Sequence, residues 1–86
     1  MARIEMYTTP SCPYCVRAKR LLKERGLAYE EIDVANDDAL RLEVMQRSGR
    51  RTVPQIFIDG RSIGGYDELA EMDASGELAT LTQAAG

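Results

Sequence analysis

Histidine and tryptophan are absent from this chain of 86 residues, and cysteine occurs only twice. A structural zinc site needs four cysteine or histidine ligands. One copy of the chain cannot supply them, and only a dimer that shared two cysteine pairs could do so. No apolar run approaches the roughly 20 residues that span a bilayer. We therefore expect neither a bound metal nor a membrane-embedded segment.

The N-terminus also lacks the long apolar segment of a signal peptide. We therefore expect a cytoplasmic protein in a reducing compartment, where paired cysteines are more often catalytic than structural. The net charge is −3, from 11 basic and 14 acidic residues, which argues against nucleic acid as a partner. Because the chain has no internal repeat, low-complexity segment or linker, we expect residues 1–86 to form one domain.

The two cysteines stand in the segment Cys12-Pro13-Tyr14-Cys15, after an apolar extended run and at the start of a helical one. Pro13 suits the first helical position, because its missing N–H costs nothing there. Cys12 is then the N-cap residue, and its sulfur faces the unpaired backbone N–H groups of Tyr14 and Cys15. These donors and the helix dipole favour a thiolate at Cys12, which is the nucleophile of disulfide exchange. Cys15, one turn further on, can attack a mixed disulfide formed at Cys12.

Two other uses of the cysteines compete with redox chemistry. A stabilising disulfide is disfavoured, because closing so short a loop removes little entropy from the unfolded chain. A pair of inert buried thiols is also disfavoured, because Pro13 and the polar neighbours Thr8, Thr9 and Ser11 argue against a buried position. We therefore predict an accessible and redox-active cysteine pair.

Hydrophobic periodicity predicts alternating strands and helices. Strands are expected at residues 4–7, 29–34, 55–58 and 61–63, and helices at 13–25, 38–49, 67–73 and 77–83. Gly26 is the expected C-cap of the first helix, Asp59-Gly60 is the turn pair of a two-residue hairpin, and residues 84–86 are expected to fray. The order β-α-β-α-β-β-α predicts an α/β fold with a mixed four-stranded sheet and helices on both faces. Cys12 would follow the C-terminal end of the first strand, where such sheets bind ligands.

Three segments of the chain together resemble the dithiol glutaredoxins, and the short bacterial members most of all. They are residues 8–15, Thr52-Val53-Pro54 and Gly64-Gly65-Tyr66-Asp67, and the match covers almost the whole chain. The resemblance implies a thioredoxin fold and a glutathione-dependent thiol–disulfide oxidoreductase that holds no bound cofactor and uses glutathione as its reducing co-substrate. It implies that Cys12 attacks and Cys15 resolves. It also implies a monomer that acts on disulfide-containing proteins, with ribonucleotide reductase as one candidate.

The same resemblance implies a glutathione groove beside the cysteines. Pro54 would follow a cis peptide bond, and the Val53 backbone would pair with the cysteinyl part of glutathione. Thr52 and Asp67 would contact the γ-glutamyl end, and an alternative role for Asp67 is a helix N-cap. Gly65 would let the ligand approach the backbone closely. The other residues expected at the groove are Tyr14 and Tyr66, with Arg41 near the glycyl carboxylate. Arg51, which is next to Thr52, could share that contact, and an ordinary surface role is the alternative for both arginines.

One position departs from the family pattern. Many dithiol glutaredoxins carry a lysine three residues before the first cysteine, where this chain has Thr9, so the cation that stabilises the thiolate in those relatives is missing. Two alternatives stay open: a redoxin reduced by thioredoxin reductase, and an iron–sulfur carrier whose cluster bridges a dimer through Cys12 and glutathione. The second and third motifs favour glutathione over the reductase. Pro13 and Tyr14 disfavour the carrier, because cluster-binding relatives usually have smaller or different residues there.

Overall fold

Four strands form one mixed sheet in the structure, a computed structural model that describes residues 3–83. They are β1 (Ile4–Thr8), β2 (Glu30–Asp33), β3 (Gln55–Ile58) and β4 (Arg61–Gly64), in the sheet order β2-β1-β3-β4. β1 runs parallel to β2 and antiparallel to β3, and β3 runs antiparallel to β4. The expected mixed four-stranded sheet is therefore confirmed, with β1 and β3 at its centre.

Four helices cover the two faces of this sheet. They are α1 (Pro13–Glu24), α2 (Asp38–Ser48), α3 (Tyr66–Ser75) and α4 (Glu77–Gln83). Successive strand residues point to opposite faces, so Met6 packs with Leu22 of α1 and Leu69 of α3, whereas Tyr7 packs with Val44 of α2 on the other face. The expected element order and the two helical layers are confirmed. Within residues 3–83, no helix is long and apolar enough to cross a bilayer.

The ends of α1 follow from its sequence. Its buried residues Cys15, Ala18 and Leu22 recur at helical spacing and attach it to the sheet. The expected C-cap is displaced by one residue: Arg25 is the C-cap, and Gly26 follows it with φ +69°. This left-handed conformation is the one that glycine adopts at low cost just beyond a helix.

β1, α2 and β4 differ by one residue from their predicted ranges, and two further elements differ in length by two or more residues. β2 is shorter than the predicted residues 29–34. Asp33 pairs with Thr8, the last residue of β1, so Val34 has no partner residue in β1, although its N–H donates to the Thr8 carbonyl at 2.9 Å. α3 is longer than residues 67–73, because its N-cap is Gly65 and its C-cap is Gly76, which has φ +86°. The hairpin turn at residues 59–60 is confirmed, and the predicted fraying of residues 84–86 lies outside the described residues.

The packing of α1 against the sheet predicts a large difference between two leucines in helices. Leu22 is fully buried, whereas Leu42 of α2 is 54% exposed. We expect Leu22→Ala to lower the free energy of unfolding by about 2–5 kcal/mol, because it leaves a cavity in the core. The matched substitution Leu42→Ala should change it by about 0.5 kcal/mol or less. Urea denaturation of both variants measures the difference, and equal losses would contradict the described position of α1.

Candidate active site

Cys12 lies at the N-terminus of α1, at the end of the loop that follows β1. It is the N-cap residue in an extended conformation, and Pro13 is the first helical residue, as predicted. The Cys15 backbone N–H donates a hydrogen bond to the Cys12 Sγ at 3.0 Å. The Cys12 thiol contacts the carbonyl oxygen of Val53 at 3.5 Å. The sulfur therefore lies between a helix N-terminus and the loop that precedes β3.

Cys15 lies in a different environment, on the buried side of α1. Its side chain is 1% exposed. Burial, and after it the interaction of the thiol with the Cys12 side chain, raises the pKa of the Cys15 thiol to about 12. The prediction that the cysteines avoid buried positions is wrong for Cys15, because the helical stripe that includes Ala18 carries it inward. Polar Thr8 is buried as well, and its hydroxyl donates to Glu31 at 2.8 Å.

The loop before β3 forms one wall of the site. The peptide bond between Val53 and Pro54 is cis, as the resemblance implied. Gln55, which is 1% exposed, anchors this loop because its Nε2 donates to the Thr52 carbonyl at 2.8 Å. Gln55 directly follows the Thr52-Val53-Pro54 motif but was not among the predicted site residues. The backbone of Val53 is thereby held beside the Cys12 sulfur.

The N-terminus of α3 forms the opposite wall. Gly65 is its N-cap, and a Cβ there would lie 3.1 Å from the Pro54 carbonyl oxygen, so glycine lets the two walls approach closely. The Gly65 N–H donates to Glu68 Oε1 at 2.8 Å, and Arg50 pairs with the same oxygen. These contacts lower the pKa of Glu68, so its carboxylate is charged at neutral pH. The alternative role of Asp67 as the N-cap is wrong, because Gly65 holds that position and Asp67 lies inside the first turn.

An open groove of about 310 Å³ lies between these two walls, and we call it the Val53 groove. Six of the predicted residues line it together: Tyr14, Thr52, Val53, Pro54, Tyr66 and Asp67. Arg41 and Arg51 do not line it, and neither does Gly65, although Gly65 is the N-cap of the helix that forms one wall. Sequence reasoning missed two lining residues, Arg50 and Glu68. Glu68 stands three residues after Gly65, the spacing of a capping box, and this signal could have revealed it.

Two of the residues that line the Val53 groove are tyrosines. The ring centroids of Tyr14 and Tyr66 are 6.3 Å apart. Tyr14 is 52% exposed, and the Arg17 guanidinium lies 5.4 Å from the centre of its ring. This is within the range of a cation–π contact. The groove thus combines aromatic walls, exposed backbone and charges of both signs.

A larger cleft of about 740 Å³ lies between β4 and the helices α3 and α4. It contains neither cysteine and, of the residues around the Val53 groove, only Glu68. The cysteines do not line the Val53 groove either, but Cys12 lies beside it, because its sulfur contacts the carbonyl of the lining residue Val53 at 3.5 Å. Among residues 3–83, no cluster of three or more His, Cys, Asp or Glu side chains is arranged to hold a metal ion.

Known proteins share both this sequence and this architecture. The family model described as Glutaredoxin matches residues 4–63. Glutaredoxin 3 of Escherichia coli (strain K12) is 51% identical over 81 residues, which are 94% of this chain and 98% of that protein. The solution structure of a glutaredoxin from Brucella melitensis has a TM-score of 0.84 at 46% identity, and the match covers 94% of this chain and 88% of that one.

A third relative is the crystal structure of a buckwheat glutaredoxin–glutathione complex. Its TM-score is 0.86 at 33% identity, with 91% of this chain and 74% of that chain covered. These neighbours confirm the expected thioredoxin fold. The sequence resemblance to the glutaredoxins is also confirmed, and the paired cysteines of the motif are both present as free thiols. The chain therefore belongs to the glutaredoxin family of thiol–disulfide oxidoreductases.

Proposed function

We propose that the protein uses glutathione to reduce protein disulfides and glutathione mixed disulfides through Cys12 and Cys15. The observation that carries this proposal is the position of the Val53 groove. Val53, whose carbonyl lies 3.5 Å from the Cys12 sulfur, lines the same groove as Asp67. A tripeptide in this groove can present its own sulfur to Cys12 while its charged end lies near α3.

The charges of the groove match the charges of glutathione. The γ-glutamyl end carries an ammonium and a carboxylate, and the groove offers the Asp67 carboxylate and the Arg50 guanidinium. One N–H of Arg50 donates to Glu68. The other N–H groups remain available to a ligand, because a guanidinium has five N–H donors. The Val53 backbone can pair with the cysteinyl part as an added strand would. The complex of the buckwheat relative with glutathione supports this assignment.

On a glutathione mixed disulfide the reaction needs one cysteine of the protein. The Cys12 thiolate attacks the glutathione sulfur, a Cys12–glutathione disulfide forms, and the substrate leaves as a thiolate that takes up a proton. A second glutathione, as its thiolate, then attacks the glutathione sulfur of this intermediate. Oxidised glutathione leaves, and the Cys12 thiolate is restored. The N–H of Cys15, which donates to the Cys12 Sγ, supports the negative sulfur at the start and at the end of this cycle.

On a protein disulfide the reaction also needs Cys15. Cys12 attacks one substrate sulfur and joins it, and the other substrate sulfur leaves as a thiolate. The Cys15 proton passes to that substrate thiolate, and the Cys15 sulfur attacks the Cys12 Sγ and displaces the second substrate sulfur as a thiolate. Two glutathione molecules then reduce the Cys12–Cys15 disulfide and leave as oxidised glutathione. Because burial raises the pKa of Cys15 to about 12, Cys15 stays protonated at neutral pH until the mixed disulfide forms. We further propose a cytoplasmic location, where a reducing glutathione pool is available.

Two reductant systems, compared on one disulfide substrate, test the proposal. We expect glutathione with glutathione reductase to sustain turnover, and thioredoxin reductase with NADPH to sustain little. The reason is that the Val53 groove offers contacts to a small charged peptide. NADPH consumption measures both arms. Efficient turnover with thioredoxin reductase and none with glutathione would contradict the proposal.

Cysteine variants provide the controls for this comparison. Cys12→Ser should be inactive in both arms, because it removes the attacking sulfur. Cys15→Ser should retain turnover of a small glutathione mixed disulfide, which free glutathione resolves, and should lose most of its turnover of a protein disulfide. An active Cys12→Ser with an inactive Cys15→Ser would reverse the assigned roles.

Asp67 provides a test of the groove itself. We expect Asp67→Asn to weaken glutathione binding by about 1.5–3 kcal/mol, the scale of a hydrogen bond to a charged group, and to raise the KM for glutathione accordingly. Asp38→Asn is the matched control, because Asp38 is an acidic residue in the first turn of α2. Steady-state kinetics and thermal melts on both variants separate binding from stability. Equal KM values for the two variants would exclude a role for Asp67 in binding.

A further inference from the structure

A second open groove, of about 320 Å³, lies between α1 and α3. We call it the α1–α3 groove, and its lining residues are Arg17, Arg20, Leu21, Glu24 and Tyr66. Tyr66 also lines the Val53 groove, so the two grooves meet at this residue. Arg17 stacks over Tyr14, which borders the Val53 groove. A bound polypeptide that extends from the Val53 groove across Tyr66 therefore reaches Arg17 and Arg20.

The charge of the α1–α3 groove is not neutralised within the protein. Lys19 of α1 pairs with Glu31 at 3.0 Å, and Arg25, the C-cap residue of α1, pairs with Asp73 at 2.8 Å. Across residues 3–83, by contrast, no ion pair within 4.0 Å includes Arg17 or Arg20. Both arginines are exposed, and Glu24 is the one carboxylate among the residues that line the groove. The groove thus presents a net positive charge to a ligand.

We propose that the α1–α3 groove binds the polypeptide of a protein substrate beside its reacting cysteine and selects segments with acidic residues. The inference rests on the proposed function and names the class of protein substrate for that site. Glutathione would fill the Val53 groove, and the substrate chain would cross the tyrosine pair, with its carboxylates near Arg17 and Arg20. Leu21 and the Tyr66 ring supply apolar contact between these charges.

The expected strength of the preference for acidic segments follows from the exposure of Arg17 and Arg20. Pairs between exposed charges are individually weak, so two of them predict a preference of about fivefold to tenfold over an uncharged segment at low ionic strength. Such a preference must decrease when salt screens the charges. The selection is therefore expected in kcat/KM for peptides and proteins, and only at low to moderate salt.

Two S-glutathionylated peptides with one cysteine each test the proposal. One carries aspartate on both sides of the cysteine, and the other carries asparagine at the same positions. The kcat/KM ratio of the two peptides, corrected for their uncatalysed reaction with glutathione, measures the preference. We compare the wild type, Arg17→Gln/Arg20→Gln, and the charge-matched control Lys23→Gln/Arg61→Gln, whose exposed residues line neither groove.

We expect the wild type and the control to prefer the aspartate peptide about fivefold to tenfold, and Arg17→Gln/Arg20→Gln to show a ratio within about twofold of one. About 0.5 M NaCl should reduce the wild-type ratio toward one. The ratio cancels any general loss of activity, and thermal melts verify that the variants are folded. Equal turnover of both peptides by the wild type, or a preference that persists without the two arginines, would overturn the docking inference and leave the proposed function intact. If the wild type turned over neither peptide and no small glutathione mixed disulfide, both the docking inference and the proposed function would be overturned.

Discussion

The hydrogen bond from the Cys15 backbone N–H to the Cys12 sulfur, 3.0 Å long, is the interaction on which the site depends. It exists because Pro13 begins α1 directly after Cys12, and because a buried stripe on α1 fixes that helix against the sheet. The same stripe turns the Cys15 thiol into the core. A single helix therefore gives two cysteines different environments: the partly exposed Cys12 sulfur accepts a backbone N–H, and the Cys15 thiol is protonated and buried.

The groove beside Cys12 is a product of tertiary packing. Its walls come from α1, from the loop before β3 and from the N-terminus of α3, which the central position of β3 brings together. Gly65 permits the close approach to the Pro54 carbonyl, and Glu68 connects Gly65 to Arg50. Helix capping and the charge of the groove thus share Glu68, so a neutral residue there would remove both the bond to the Gly65 N–H and one negative charge of the groove.

The local part of this arrangement could be predicted from the sequence. The N-cap at Cys12 follows from the position of Pro13, and the strand and helix order follows from hydrophobic spacing. The burial of Cys15 could not be predicted from its polar neighbours, because the packing of α1 decides which side of the helix faces the core. Arg50 and Glu68 were missed for a similar reason. They are 18 residues apart in the chain, and their contact depends on the folding of β3 and β4, which lie between them in the sequence.

The central claim is that α1 presents the Cys12 sulfur and encloses the Cys15 thiol, and alkylation of the reduced protein tests it most directly. At pH 7, with limiting iodoacetamide and peptide mass spectrometry, we predict that Cys12 is modified while Cys15 stays intact. Cys15 is 1% exposed, and its pKa is raised to about 12, so almost none of it is the reactive thiolate. Cys15 should react only after denaturation in guanidinium chloride. Modification of native Cys15 at a rate equal to that of Cys12 would contradict the account.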